Sequence, residues 1–340
     1  MNALEIPEVI FGTSGLGNLY VALSAQHKAN IIQQCVKYGS HPTVFDSAGK
    51  YGAGLALESL GNGLRQAGID PKDVIISNKL GWKRTALKTK EPTFEPGVWK
   101  ELKHDAEQQI SGEGILDCYE QGNALLNGYE AKWVSVHDPD EYLAAAKGEP
   151  DYRNRFKDIL AAYEALADLK RQGRVQAVGI GAKDWKVTRE IIQYIPLDWV
   201  MIANSMTIHS HPEELLDFMQ QLRSQGVKII NSAIFNGGFL TGGDFYNYKP
   251  VSPALNPDLY HWRAAFYAAC ESFKIRPEAA CAVFARHAPG VNGVALSTTN
   301  LDRVKSNVEI TRSTIPIDFW QSLVTKQLIS GIYAENYLYE

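Results

Sequence analysis

Four side chains in the first half of the chain have the types and the placement needed to move a proton. Asp46 ends the apolar run TVFD, Lys79 ends VIISNK and His137 ends WVSVH, while Tyr51 lies five residues beyond Asp46. A free tyrosine has a pKa of about 10 and is a poor acid or base near neutral pH, but a nearby ammonium lowers that pKa. We expect Lys79 to supply this charge and Asp46 to hold Lys79 in an ion pair.

The same set predicts proton transfer coupled to hydride transfer. His137 is expected to donate a hydrogen bond to the substrate oxygen and so orient the substrate. The protein would move the proton through Tyr51, and a nicotinamide cofactor would carry the hydride. Taken singly, each residue has an ordinary structural explanation, such as a strand cap, a surface lysine, a loop aromatic or a structural histidine. Their joint placement at three strand ends favours the catalytic interpretation.

Eight short apolar runs are the predicted strands that position these residues. They are Glu8–Phe11, Thr43–Asp46, Val74–Asn78, Trp133–His137, Val175–Ile180, Trp199–Asn204, Lys228–Ser232 and Gly293–Ser297. Most are continuous rather than alternating, as expected for parallel strands covered on both faces. Amphipathic stretches separate the runs and several stop at glycine, a helix C-cap signal. Four of these predicted helices are Phe156–Gln172, Pro212–Gln225, Glu278–His287 and Leu301–Thr311.

Alternating strands and helices fit either a closed barrel or an open doubly wound sheet. An open dinucleotide-binding sheet should carry G-x-G-x-x-G directly after its first strand, and neither GTSGLGN nor GIGAKDW has the third glycine. We therefore predict an α/β fold, a (β/α)8 TIM barrel with a parallel eight-stranded core, formed by residues 1–340 as a single domain. Lys83–Gly97 and Gly237–Asn256 are expected to form long loops over the C-terminal, catalytic face.

Composition argues against several other classes of protein. A formal net charge of -4 gives no reason to expect nucleic acid or a membrane surface as partner. MNALEIPEVIFG lacks the features of a signal peptide, so a cytoplasmic location is expected. The four cysteines form no CxxC pair, which predicts neither a disulfide framework nor a structural zinc. His209 and His211 form an HxH pair without a third ligand at suitable spacing, so no metal site is predicted.

FDSAGKYGAGLALESLG resembles the signature D-T-A-x-x-Y-G-x-G-x-S-E-x-x-L-G of the aldo-keto reductase superfamily. The matching positions are Asp46, Ala48, Tyr51, Gly52, Gly54, Glu58, Leu60 and Gly61. SNKLG and SVHDPD resemble the lysine and histidine motifs of that family, and the resemblance runs from FGTSGLGN to the segment around Asn307. It implies a barrel oxidoreductase whose catalytic tetrad is Asp46, Tyr51, Lys79 and His137.

The resemblance also implies a set of cofactor-binding residues. They are Gly15, Gly17, Asn204, Ser232, Phe235, Gly237, Ser297, Arg303 and Asn307. Asn204 stands where the family usually has a glutamine that holds the nicotinamide carboxamide, and Gly181-Ala182 stand where it has a Ser-Asn pair. Arg303 and Asn307 match the adenine-side motif, but Ser297 replaces the lysine that binds a 2′-phosphate. Loss of this cation predicts NAD in preference to NADP, although Arg303 keeps NADP open.

Within this superfamily the chain is most similar to the D-threo-aldose 1-dehydrogenase branch, which includes L-fucose and L-galactose dehydrogenases. The similarity lies in the insert between Lys79 and His137, the VHDPD motif and the glycines of GIG. That branch implies oxidation of an aldose at C1 to a lactone, with Tyr51 as phenolate taking the anomeric hydroxyl proton. Tyr20 and Trp82 would wall a sugar pocket, because aromatic faces stack on sugar C–H surfaces, or else pack under a loop. Asp138 would touch polyol hydroxyls, although an exposed turn acid is the preferred interpretation.

Several alternatives stay open. The substrate could instead be a simple aldehyde or ketone, or pyridoxal. The superfamily also includes channel β-subunits, so a catalytically silent nicotinamide-binding sensor is a second class, against which an intact tetrad argues. A metal-dependent barrel hydrolase is a third. Lys83, Arg84, Lys88 and Lys90 are expected to form a solvated basic loop, or alternatively to close over cofactor phosphates.

Overall fold

Eight parallel strands close into a barrel in the computed structural model, which describes residues 4–339. The strands, β1 to β8, are Val9–Gly12, Thr43–Ala48, Val74–Leu80, Ala131–His137, Ala177–Ala182, Trp199–Ala203, Lys228–Ser232 and Val291–Leu296. Each pairs with its neighbour along the chain, and β1 pairs with β8 to close the circle. The predicted (β/α)8 TIM barrel is confirmed.

Helices follow the strands and cover the outside of the barrel. In chain order, α1 to α12 are Ala25–Tyr38, Leu55–Gln66, Gly112–Leu125, Pro139–Ala144, Glu149–Arg171, Trp185–Ile191, Glu213–Ser224, Pro257–Ser272, Pro277–Arg286, Leu301–Ile310, Ile317–Thr325 and Gly331–Tyr337. Short 3-10 helices lie at Ser14–Gly17, Pro71–Asp73 and Asn236–Thr241. Among residues 4–339, no helix is long and apolar enough to cross a membrane.

Large side chains fill the barrel interior at the end opposite the catalytic face. Trp133, Trp199 and Met201 belong to one buried cluster there, together with Ile10. Gly179 is paired in register with Trp199, and a Cβ on Gly179 would lie 2.1 Å from that indole ring. The first glycine of GIG is therefore required by packing of the barrel core, because any side chain would displace the tryptophan.

Seven of the eight predicted strands differ from the observed strands by one or two residues at one or both ends, and Lys228–Ser232 matches at both. β5 starts at Ala177 rather than Val175 and continues to Ala182, because its pairing with β4 begins at Ala177 opposite Trp133. β8 ends at Leu296, so Ser297 lies just beyond the strand. The four predicted helices are confirmed to within a few residues, except that α5 begins earlier than predicted, at Glu149.

The two irregular segments contain local structure that the sequence did not predict. Trp82–Ala86 pairs antiparallel with His104–Gln108, forming what we call the insert hairpin. Phe245–Tyr246 pairs with Lys249–Pro250 in a second, shorter hairpin. Both follow barrel strands, β3 and β7, and so lie on the C-terminal face as expected.

Lys88 and Lys90 are exposed as predicted, but Lys83 and Arg84 are half-buried in the insert hairpin. Lys83 pairs with Asp117 at 2.6 Å, and Arg84 pairs with Glu58 at 2.8 Å. The interpretation of all four as a solvated loop is therefore wrong for Lys83 and Arg84, which attach the hairpin to α3 and α2.

Candidate active site

The register of three neighbouring strands places Asp46, Lys79 and His137 at one end of the barrel. Asp46 lies opposite Ser77, and Lys79 lies between Ala48 and Ser135. The residues Asp46, Lys79 and His137 are 4%, 3% and 4% exposed. One Asp46 carboxylate oxygen accepts a hydrogen bond from the Ser77 hydroxyl at 3.1 Å, and the other pairs with Lys79 Nζ. The predicted ion pair is present and almost completely shielded from water.

Tyr51 reaches this ion pair from the turn that follows β2. Lys79 Nζ lies 4.9 Å from the centroid of the Tyr51 ring, and the His137 ring lies edge-on to it at 5.6 Å. A Cβ on Gly17 would stand 2.8 Å from the Tyr51 carbonyl, so a bare backbone at Gly17 lets the turn approach the first loop. The structure brings all four predicted catalytic side chains together.

Burial sets the protonation states of the group. It raises the pKa of Tyr51, and this effect outweighs the lowering by the Lys79 ammonium, so the expected net lowering is wrong for the free protein. Burial also opposes the charge on Lys79, but Asp46 and then Tyr51 overcome it and raise the pKa of Lys79. Burial and the positive charge of Lys79 hold the pKa of His137 well below its usual range. Near neutral pH the site therefore holds a phenol, an ammonium and a neutral imidazole.

A second charged group lies beside the tetrad at the barrel mouth, and we call its five residues the mouth cluster. They are Lys50, Glu95, Asp138, Glu141 and Lys183. Lys50 Nζ lies 2.8 Å from Glu95, 3.1 Å from Glu141 and 3.5 Å from Asp138. Lys183 Nζ lies 3.3 Å from Asp138 and also pairs with Glu141. The cluster links the insert to the ends of β2, β4 and β5.

The structure corrects the prediction that Asp138 is an exposed turn acid. Asp138 is 6% exposed, because two ammonium groups compensate its buried charge. Its Oδ2 lies 3.6 Å from Nε2 of His137. Asp138 therefore contacts a proposed catalytic side chain as well as the mouth cluster.

Aromatic side chains flank the site. Tyr20 stacks on Phe245 at 4.9 Å, and Trp99 lies 5.9 Å from the Tyr51 ring. Lys50 Nζ lies 5.2 Å from the Trp82 ring, whose indole nitrogen is buried without a hydrogen-bond partner among residues 4–339. Glu95 and Lys183 are near enough to Tyr20 to influence its pKa, which burial raises. Tyr20 and Trp82 thus lie beside the mouth cluster, and Trp82 also packs on Phe94 of the insert at 5.8 Å, so both the pocket-wall and the loop-packing interpretations stay open.

The ends of β6 and β7 present polar groups suited to a nicotinamide carboxamide. Asn204 has a left-handed backbone, with φ of 62°, and its side-chain oxygen is buried without a partner in the described part of the chain. Asn236 donates to the Asn204 carbonyl at 3.2 Å, and the Ser232 hydroxyl donates to the Ile202 carbonyl at 3.3 Å. A buried, unpartnered amide oxygen is costly unless a donor reaches it, and a carboxamide N–H is such a donor. These residues fit the cofactor.

Gly181 shows why the usual Ser-Asn pair is absent. A Cβ at this position would lie 3.0 Å from Cδ of Lys79, tighter than an ordinary contact. A serine there would require the Lys79 stem to move, and Ala182 beside it is 3% exposed and offers no polar group. Gly181 and Ala182 therefore offer no polar side chain for the contact that Ser-Asn makes in the family that the sequence resembles.

The predicted phosphate and adenine positions lie at the neighbouring loops. Gly237 has φ of 73° and follows the half-buried Phe235. Ser297 is exposed, with its hydroxyl 3.3 Å from that of Ser14. Arg303 lies exposed in the first turn of α10, and Asn307 lies half-buried one turn later. This placement leaves Ser297 and Arg303 accessible to a bound nucleotide.

Gly15 and Gly17 have a packing explanation. A Cβ on Gly15 would lie 2.9 Å from the Thr299 methyl, and one on Gly17 would meet the backbone of Tyr51. Both therefore allow the first loop to fit between the loop before α10 and the Tyr51 turn. Their contact with a cofactor stays a prediction.

The two histidines of the HxH motif serve the fold instead. His209 Nδ1 lies 2.9 Å from the Tyr246 hydroxyl, and His211 Nε2 accepts from the Ser330 N–H at 3.0 Å. Across residues 4–339, no three His, Cys, Asp or Glu side chains are grouped so that they could hold a metal ion.

Sequence reasoning missed four residues of the mouth cluster, Lys50, Glu95, Glu141 and Lys183, and also Trp99 beside Tyr51. Lys50 directly precedes Tyr51, and Glu141 follows Asp138 at helical spacing, so their positions beside candidate site residues were a signal that could have identified both. For Lys183 and Trp99 no local signal exists, since barrel closure and the fold of the insert bring them to the site.

Comparison with known proteins adds independent information. The family model described as "Aldo/keto reductase family" matches residues 8–327. The chain is 23% identical over 338 residues to a pyridoxal 4-dehydrogenase of Microbacterium luteolum, covering 96% of each chain. It is 23% identical over 340 residues to a D-threo-aldose 1-dehydrogenase of a Pseudomonas species, covering 96% of this chain and 95% of that one. An aldo-keto reductase from Bacillus halodurans, solved in its holo form, superposes with a TM-score of 0.66 at 18% identity, covering 95% and 92% of the two chains.

Proposed function

The chain belongs to the aldo/keto reductase family of oxidoreductases, which use nicotinamide cofactors, and we propose that it oxidises the C1 hydroxyl of a cyclic aldose to a lactone. The observation that carries this proposal is the grouping of Tyr51 with the buried Lys79–Asp46 pair and a neutral His137. Tyr51 is the proton-transfer residue, and Lys79, Asp46 and His137 complete the catalytic tetrad.

The tetrad's protonation states define what each side chain does. In oxidation the substrate hydroxyl gives its proton to the Tyr51 phenolate, and the Lys79 ammonium stabilises that phenolate. Neutral His137 donates a hydrogen bond to the same substrate oxygen and holds it in place. In the reverse direction the Tyr51 phenol donates the proton to the carbonyl oxygen. Because burial raises the pKa of Tyr51, oxidation is expected to speed up as the pH rises.

NAD⁺ or NADP⁺, when bound, supplies the acceptor for the hydride that leaves C1. Asn204 would hold its carboxamide, with Ser232, Phe235 and Gly237 beside the pyrophosphate and Arg303 and Asn307 beside the adenosine. NAD is the favoured cofactor, since Ser297 offers no charge to a 2′-phosphate.

The substrate proposal rests on a chemistry shared by two relatives' substrates. Aldoses and pyridoxal are both hydroxyaldehydes that close to cyclic hemiacetals, and loss of a hydride and a proton from the hemiacetal carbinol gives a lactone. The mouth cluster offers acceptors at Glu95 and Glu141, which are 33% and 43% exposed, to the remaining hydroxyls. Trp82 and Tyr20 offer apolar faces to the sugar ring. This mixture favours a polyhydroxylated substrate.

Pyridoxal is the second candidate, favoured by the similarity to a pyridoxal 4-dehydrogenase at 23% identity. Its flat aromatic ring would stack on the same aromatic wall, and its hemiacetal would present one hydroxyl to Tyr51. The two candidates differ in how much they need the acceptor groups of the mouth cluster.

One activity screen tests the proposal. Purified protein is mixed with NAD⁺ or NADP⁺ and with L-fucose, D-arabinose, L-galactose or pyridoxal, and absorbance at 340 nm is followed. Turnover of at least one aldose with preference for NAD⁺ is the expected result. Turnover of pyridoxal alone would replace the aldose proposal with the second candidate. Tight cofactor binding without turnover of these compounds or of simple aldehydes would contradict the enzymatic proposal and favour a sensor subunit.

A further inference from the structure

A cavity of about 380 Å³ lies outside the barrel mouth, between α1, α2 and residues 101–104 of the insert. Its lining contains none of the four tetrad residues and none of the residues proposed for the cofactor. Gly52, which follows Tyr51, forms part of its wall, so the cavity lies behind the catalytic turn. Its volume is in the range of small-molecule sites.

Lys28 of α1 lines this cavity and is 5% exposed. No carboxylate of residues 4–339 lies within 4.0 Å of its ammonium, and its side chain has no hydrogen-bond partner there. Burial lowers the pKa of Lys28, and Glu58 opposes this effect only in part, so the pKa lies below its ordinary value. The stem of Lys28 is buried and no protein group pairs with its ammonium, so the charge is available to an anion in the cavity, whereas surface lysines extend into water.

Two features make the cavity favourable for negative charge. Of the two acids in the lining, Glu58 is paired with Arg84 at 2.8 Å, so its charge is largely compensated, and Glu101 is exposed to water. Ala25, the first residue of α1, also lines the cavity, and the first turn of α1 contains no acidic residue. The N-terminal end of a helix carries a partial positive charge that favours anions. Lys28 and the end of α1 therefore act in the same direction.

The rest of the wall is mixed, with polar side chains such as Asn62 and Gln66 beside an apolar part. The apolar part is formed by Leu23, Leu55, Leu102 and Ala29, and Lys28 is the buried lysine of the lining, whereas Lys103 is exposed at its rim. One buried cation matches one carboxylate, whereas a phosphate dianion calls for several donors. The apolar part of the wall would bury part of the body of an organic molecule.

We propose that this cavity is a second ligand site that binds a small organic monocarboxylate, with Lys28 as its counter-ion. The site is separate from the hydride-transfer centre and does not depend on the identity of the substrate. The carboxylate lies between the Lys28 ammonium and the start of α1, and the apolar part of the ligand packs between α2 and the insert.

Isothermal titration calorimetry with 2-naphthoate and its neutral counterpart 2-naphthamide tests the site in the full chain. Wild-type protein is expected to bind naphthoate with at least about tenfold preference over naphthamide, as a charge-assisted contact implies. Lys28→Met should weaken naphthoate binding by roughly 10- to 100-fold and leave naphthamide unchanged. Lys28→Arg, which keeps the charge, should retain binding. The matched control is Lys103→Met, which removes an exposed lysine from the cavity rim.

A carboxylate could also bind beside Tyr51, and the same titrations separate that case. Binding to the hydride-transfer centre alone predicts identical naphthoate affinity and stoichiometry in wild type and Lys28→Met, which would overturn the proposal. Equal loss in Lys28→Met and Lys103→Met would overturn it as well, since it would indicate a diffuse surface effect. Circular dichroism confirms that Lys28→Met folds, as expected when an apolar side chain of similar length replaces an unpaired buried charge.

Discussion

Two opposing effects act on the pKa of the Tyr51 phenol. Burial raises its pKa, and the Lys79 ammonium lowers it, with burial the larger effect in the free protein. Asp46 keeps Lys79 charged despite the apolar surroundings, and it also acts directly on Tyr51 to raise the pKa. In the free protein Tyr51 is therefore protonated and can donate a proton. It needs the charge of Lys79 to become a proton acceptor.

Lys79→Met should move the pH profile of sugar oxidation to higher pH. The active form in oxidation is the Tyr51 phenolate, and removal of the ammonium makes that form harder to reach, so the rising limb shifts in the alkaline direction. The measurement is the initial rate at 340 nm across pH 6 to 11 at saturating cofactor. An unshifted limb would remove Lys79 from its role.

The lysine substitution leaves Asp46 buried and unpaired, which costs about 3–5 kcal/mol of stability. The double variant Asp46→Asn with Lys79→Met avoids this buried charge and should show a smaller alkaline shift with a better-folded chain, because Asp46 also raises the pKa of Tyr51. Lys83→Met is the matched control, because Lys83 pairs with Asp117 on the outer side of the hairpin.

Ser297→Lys should raise the preference for NADP⁺ over NAD⁺ by about tenfold or more, since it adds a cation beside the 2′-phosphate position. The side chain is exposed, so a lysine fits without repacking. The ratio of kcat/KM for the two cofactors is the measurement, and Ser313→Lys, beyond α10, serves as control. A constant ratio would undermine both the NAD preference and the assigned adenosine position.

The identity of the tetrad could be proposed from sequence because each member ends a strand or follows one in the signature turn. The net pKa shift of Tyr51 could not, since burial depends on the folded packing around it. The mouth cluster as a whole could not be predicted from the sequence for a similar reason. Lys50, Asp138 and Lys183 are far apart in the chain, and only the neighbouring ends of β2, β4 and β5 bring their charges together.

At the scale of elements, Asp140 joins α4 to the loop after β5. Its carboxylate accepts the backbone N–H groups of Lys183 at 3.2 Å and Asp184 at 2.8 Å. Burial, and next the charge of Asp138, raise the pKa of Asp140 to about 6. The contact therefore positions Lys183 for the mouth cluster at the expense of stability.

Asp140→Asn should stabilise the protein more at pH 7 than at pH 4. The folded-state pKa exceeds the unfolded one, so the wild-type free energy of unfolding falls as the pH rises from about 4 to about 6 and is flat above. The asparagine removes this loss, worth about 3 kcal/mol for a pKa raised from 3.8 to about 6. Urea unfolding at both pH values measures it, with the exposed Glu149→Gln as control. The same difference from wild type at pH 4 and pH 7 would contradict the assignment.

Elements with continuous apolar runs were predictable, and those fixed by long-range pairing were not. β2, β3 and β7 start where the sequence predicts, because their apolar runs begin abruptly. The first strand of the insert hairpin, Trp82–Ala86, has no alternation of apolar and polar residues. Its partner strand begins at His104, 18 positions after Ala86. Its contacts with α2 and α3 through Arg84 and Lys83 form only once the barrel exists.

At the scale of the whole molecule, barrel closure is what assembles the site. Eight strand ends meet on one face, so side chains from β2, β3, β4 and β6 converge although they are spread over 158 positions, from Asp46 to Asn204. The opposite end is filled by Trp133 and Trp199, for which Gly179 makes room. The tetrad thus rests on a packed core rather than on mobile loops, and only Tyr51 is held by a turn.

Tyr51→Phe is the most direct test of proton transfer by this phenol. Wild type and variant are mixed rapidly with saturating NAD⁺ and an aldose that the wild type oxidises, and the rise at 340 nm is followed through the first turnover, with Tyr20→Phe as control. The rate of hydride transfer should fall by roughly 10²- to 10⁴-fold, with cofactor affinity, measured by quenching of protein fluorescence, changing less than about twofold. Hydride transfer at the wild-type rate in Tyr51→Phe would contradict the account.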